Sequence, residues 1–68
     1  MREQGTIHRM VADLGFGFIR PAMGQQDLFF HRTALEDRSF EGLRIGDSVT
    51  YEVGTGAKGP RAADVRVG

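Results

Sequence analysis

No cysteine occurs in this chain, so disulfide stapling and thiolate metal sites are excluded, and a reducing compartment suits it. No apolar run approaches the ~20 residues needed to cross a bilayer. The opening stretch MREQGTIHRM is polar and charged, without the apolar core of a signal peptide. A soluble cytoplasmic protein with no membrane partner is the expectation. Long 3.6-residue periodicity is also missing, which argues against a helical bundle. Net charge is zero, nine basic residues against nine acidic, so total charge makes no case for a polyanionic partner. Its distribution is less even. Arg2, Arg9, Arg20, Arg32, His8 and His31 precede residue 34 against only Glu3, Asp13 and Asp27, whereas Glu36, Asp37, Glu41, Asp47 and Glu52 follow. A mixed solvated surface would show as much, so this signal is weak.

What remains is glycine and short alternating segments. The 68 residues form one expected domain, 1–68, and a chain of this size buries only about 60% of its unfolded surface around a single core. Five strands are predicted. The first, Gly5 to Ala12, carries Ile7 and Val11; the second, Gly15 to Arg20, stops at Pro21, which cannot donate to a ladder. Residues 22–26, with Gly24 and two glutamines, suit a hairpin loop, and Asp27 to His31 is the third strand. In the long connection from Arg32 to Gly46, Thr33 is placed to cap a short helical turn through Asp37, with Phe40 and Leu43 anchoring the remainder. The fourth strand, Asp47 to Val53, alternates, and the fifth runs from Arg61 to Val67. GTGAKGP between them is a turn; it lacks the spacing of a phosphate loop, and no helix follows. Five short strands at this spacing give a small barrel or sandwich.

Both faces of such strands cannot be buried. The inward set is Ile7, Ile19, Leu28, Phe30, Val49, Tyr51, Val53, Ala63, Val65 and Val67, with Leu35 and Leu43 from the connection. Gly15 and Gly17 share the face of Ile19, where missing side chains let a strand bend over an interior. Phe16, Phe18, Phe29 and His31 are then outside, flanked by Arg20 and Asp27. The competing arrangement packs these rings beneath the long connection or reverses the faces. An exposed aromatic patch marks a binding surface. Phenylalanine offers only its flat ring there, and stacking a base on such a ring contributes roughly 1–3 kcal/mol. Single-stranded nucleic acid, with bases free to splay, fits that chemistry.

GFGFI (residues 15–19), DLFFH (27–31), TAL (33–35), Phe40 and GPRAADV (59–65) together resemble the bacterial cold-shock proteins along nearly the whole chain. The first two stretches are similar to that family's two RNP-type motifs, and GPRAADV to its G-P-Q-A-x-N-V ending. The RNP signature of RRM domains also contains G-F-G-F, but a GFGFI at residue 15 leaves no room for the helix an RRM places before it. The resemblance implies an all-β fold, a five-stranded antiparallel OB-fold Greek-key barrel, that binds single-stranded RNA or DNA. It further implies an RNA chaperone or regulator of gene expression, including transcription and stress responses. Base stacking carries over to Phe16, Phe18, Phe29, His31 and Phe40. His8, Arg9, Arg32, Lys58 and Arg61 are expected to contact the backbone or base edges.

The departures are specific. Where the family has K-W-F-N the chain reads His8-Arg9-Met10-Val11, Leu14 replaces a basic residue, and Arg32 replaces the aromatic after the histidine. Strict alternation would set Arg9 on the core side with Ile7 and Val11, so a bend or bulge is expected in that strand. Weaker binding with a larger arginine share follows. The alternative function is an OB-type protein-interaction module whose patch meets an apolar partner surface. No catalysis, cofactor or small-molecule substrate is expected: the carboxylates are scattered, and two histidines without cysteine make a poor metal site at His31. A monomer is the simplest state.

Overall fold

The computed structural model describes residues 2–24, 26–36, 40–56 and 59–68. Five strands build one antiparallel sheet: β1 (Glu3–Val11), β2 (Phe16–Pro21), β3 (Leu28–His31), β4 (Ser48–Gly56) and β5 (Gly59–Val67). Their order across the sheet is β3-β2-β1-β4-β5. Single 3-10 turns cover Ala12–Leu14, Arg32–Ala34 and Phe40–Gly42. The sheet curls until its outer strands approach each other. An isolated parallel bridge joins Leu35 to Val65, and the amide of Glu36 donates to the Val65 carbonyl at 3.1 Å. The result is the barrel-like OB architecture expected from the sequence. Among the described residues no helix is long and apolar enough to cross a membrane.

Inside lie Ile7, Ile19, Phe30, Phe40, Leu43, Val49, Tyr51, Ala62 and Val65, with Leu28, Leu35, Met10 and Val67 packed at the edge. Each large apolar side chain enclosed here contributes roughly 1.5–3 kcal/mol. The Tyr51 phenol is held above its ordinary pKa, first by burial and then by the nearby Glu3 charge. Phe40 and Leu43 do anchor the long connection, as expected. Gly17 belongs to this inner wall for a steric reason. A Cβ there would lie 2.5 Å from the Arg9 carbonyl oxygen and 2.8 Å from the Phe30 ring.

Two bulges decide which residues face inward. In β1, Ile7 pairs with Ile19 but Arg9 pairs with Phe18, so His8 is the extra residue. The slip keeps Ile7 in the core and turns Arg9 to solvent, the bend that a charge at this position required. In β5 the register slips opposite Tyr51: Thr50 pairs with Arg66, and Glu52 with Ala63. Asp64 sits there in the left-handed region at φ 51°, which Asp tolerates better than most residues.

This second bulge corrects the sequence reading of the fifth strand. Ala62 and Val65, three apart, are both buried, while Ala63 and Val67 are only half-buried. Arg2 holds the bulge in place. Its Nη1 donates to Asp64 Oδ2 at 3.0 Å, and its Nη2 to the Thr50 carbonyl at 2.9 Å.

Three further readings need correction. Val53 lies on the same side as its partner Ala62, but it is 57% exposed while Ala62 is buried, so alternation alone does not place it in the core. Residues 54–56 and 59–60 of the glycine-rich turn belong to those strands, not to a loop. The turn after β3 is capped by His31, whose side chain accepts from the Thr33 amide, so Thr33 lies inside the turn instead of capping it. Asp37 and Lys58 lie outside the described residues.

Candidate nucleic-acid interface

Opposite the core, the outer face of β2 and β3 gathers Phe16, Phe18 and Phe29. The register sets Phe18 directly across from Phe29 and Phe16 across from His31, so alternation delivers all four side chains to one side. The rings touch one another. Phe16 and Phe18 meet edge to face with centroids 5.9 Å apart, Phe16 and Phe29 are tilted at 5.4 Å, and Phe18 and Phe29 are edge to face at 6.1 Å. Such contacts hold each ring in position. All three rings are half-buried, with part of their surface open to solvent.

His31 is fixed beside them. Its Nδ1 accepts from the Thr33 amide at 3.2 Å and lies 2.9 Å from the Thr33 hydroxyl. An accepting Nδ1 places the proton of the neutral ring on Nε2, on the ring's far side.

The rim divides into engaged and free cations. Arg20 donates to Asp27 Oδ1 at 3.2 Å, and its Nη2 lies 3.1 Å from Nε2 of His8, which is 3.7 Å from Asp27 Oδ2. These three side chains largely satisfy one another. Arg9 and Arg32, in contrast, are exposed and form no ion pair with a described carboxylate. The Arg32 stem passes over Gly15, where a Cβ would lie 3.0 Å from Arg32 Cδ; Gly15 also needs its freedom for φ 72°. Arg61 reaches across from β5, with its guanidinium carbon 5.4 Å from the Phe29 ring centroid.

The structure therefore brings together Phe16, Phe18, Phe29 and His31, with Arg9, Arg32 and Arg61 at the margin and His8 within the Arg20–Asp27 cluster. Lys58 lies outside the described residues. Phe40 does not join the face. It is 8% exposed and packs on Phe30 at 6.2 Å, because the Phe40–Gly42 turn directs its ring under the connection. Sequence reasoning missed the cation–π contact of Arg61. The alternation outward from buried Ala62 carries a signal for it, but only once the β5 register is known. Leu14, where the related motif has a basic residue, is 68% exposed.

Comparison with known proteins places the chain in a family. A family model described as the 'Cold-shock' DNA-binding domain matches residues 3–67. The chain is 49% identical over 62 residues to the cold shock-like protein CspE of Buchnera aphidicola, covering 91% of this chain and 90% of that protein. It is 43% identical over 61 residues to the cold shock-like protein CspB of Escherichia coli, covering 90% of this chain and 86% of that one. Among solved structures, drosophila Unr CSD456 superposes with a TM-score of 0.81 at 36% identity; the match covers 98% of this chain and 26% of that much longer one. The chain belongs to the cold-shock domain family.

Proposed function

We propose that the outer face of β2 and β3 binds single-stranded RNA or DNA by stacking bases on Phe16, Phe18 and Phe29, with His31 beside them. The observation that carries this reading is the cluster of three mutually packed rings on a solvent-facing wall whose other side is already a complete core. The family's description as a DNA-binding domain, and the cold shock names of its relatives, support the ligand class. Arg9 and Arg32 supply phosphate contacts or guanidinium stacking, and His8 and Lys58 add edge or backbone contacts. Phe40 is left out because its ring is enclosed. Holding strands unpaired in this way is the physical basis of an RNA chaperone, and through it of effects on gene expression. The domain acts as a monomer in this reading, without cofactor or catalysis.

Anisotropy of a labelled oligonucleotide, titrated at two or more salt concentrations, tests the proposal. About three phosphate contacts to a single strand give a slope of log K against log salt near −2. A face built for an apolar protein surface gives little salt dependence and no oligonucleotide binding, and that result would overturn the proposal.

A further inference from the structure

We infer that Arg61 reads a base edge beside Phe29 and that the base it selects is guanine. The inference rests on the stacking role proposed above and adds a sequence preference to it.

Three observations converge on Arg61. Its guanidinium lies over the Phe29 ring, 5.4 Å from the centroid. Its aliphatic stem crosses Gly56, where a Cβ would lie 2.9 Å from Arg61 Cδ and 3.5 Å from Nη1, so the missing side chain leaves a groove in which the arm rests. Its charge is also uncommitted. Arg2 and Arg66 are paired with Asp64 and Arg20 with Asp27, while Arg61 has no ion pair with any described carboxylate. Arg61 is half-buried, whereas Arg9 and Arg32 are exposed. A guanidinium fixed in this way differs from a flexible phosphate contact.

A guanidinium resting on a ring keeps its five N–H donors pointing outward in its own plane. The Phe16 and Phe18 centroids lie 5.4 and 6.1 Å from that of Phe29. Phe16 is tilted only 38° from Phe29, whereas Phe18 stands at 74° to it, so a base stacked on Phe16 is the one that turns an edge toward those donors. The fork matches two adjacent acceptors. Guanine offers them as O6 and N7, whereas adenine sets a donor beside N7, and thymine and uracil separate their carbonyls with an N–H. Cytosine has an O2 and N3 pair, but the larger purine stacks over more of the ring, which favours guanine.

The test uses an oligothymidylate of about eight nucleotides, alone and with one central thymine replaced by guanine, adenine, cytosine or 7-deazaguanine. Each is titrated by anisotropy against the parent protein, Arg61→Lys and Arg61→Gln. The uniform flanks let a single guanine slide into register. The expected result is about five- to tenfold tighter binding of the guanine oligonucleotide by the parent. That preference disappears with 7-deazaguanine, and in Arg61→Lys, which keeps the charge but loses the fork. Loss of affinity that is equal for every oligonucleotide in both variants assigns Arg61 to phosphate and overturns the inference, as does a preference for cytosine. A parent that binds all the oligonucleotides equally removes the guanine readout and leaves the stacking face standing. A parent that binds none of them overturns both.

Discussion

Phe29 and Phe30 are neighbours in β3, yet one belongs to the fold and the other to the surface. Phe30 is completely enclosed, resting on Gly17 and against Phe40. Phe29 is half-open, bordered by Phe16, Phe18 and Arg61. The same side chain thus has two values, set only by the pleat. On the inner face a ring replaces water by packed carbon, and its worth is stability. On the outer face the ring already touches its neighbours, and the remaining open surface serves a ligand at little gain to the fold.

Substitutions that shift one face and not the other should separate the two. The largest effect is expected from Phe30→Ala, which removes about 3–5 kcal/mol of packing. A domain of this length has only a few kcal/mol of total stability, so circular dichroism and urea titration should show a largely unfolded chain. Phe29→Ala should leave the urea midpoint close to the parent's while weakening oligonucleotide binding by about 1–3 kcal/mol. Equal losses of stability in the two variants would erase the distinction between the faces. Gly17→Ala sharpens it from the backbone side. The added methyl meets the Arg9 carbonyl and the Phe30 ring, and a stability loss of about 1–3 kcal/mol is expected in thermal melts.

The smallest effect concerns pH. The Tyr51 phenol has its folded pKa raised above the ordinary tyrosine value of 10.0 by burial and by Glu3. The unfolded chain therefore loses this proton first. The stabilising contribution is complete below pH 10 and is lost as pH rises through the folded pKa. Urea titrations should show a decline in stability above pH 10 that is shallower in Tyr51→Phe; identical alkaline limbs would remove Tyr51 as its source.

How much of this was legible in the sequence depended on whether a residue betrayed the register. In β2 and β3 strict alternation held, and Gly17, Ile19 and Phe30 separated cleanly from Phe16, Phe18 and Phe29. The β1 bulge was legible because Arg9 would otherwise be a buried charge. The β5 bulge was not, since Ala62, Ala63, Val65 and Val67 are all acceptable inside, and nothing in their order reveals that Asp64 adopts φ 51°. Arg2, which secures that bulge, is distant in sequence and gave no local sign. Phe40 sits in a connection without periodicity, so nothing in the chain distinguished a stacking ring from a core ring.

The central claim is that the outer rings serve binding and not the fold. It is tested most directly in a Phe16→Ala/Phe18→Ala double variant by measuring oligonucleotide anisotropy alongside the urea midpoint of the same preparation. The account predicts a folded protein whose affinity falls by at least about thirtyfold, the loss of two stacked bases at about 1 kcal/mol each. Unchanged affinity in a folded double variant would contradict it.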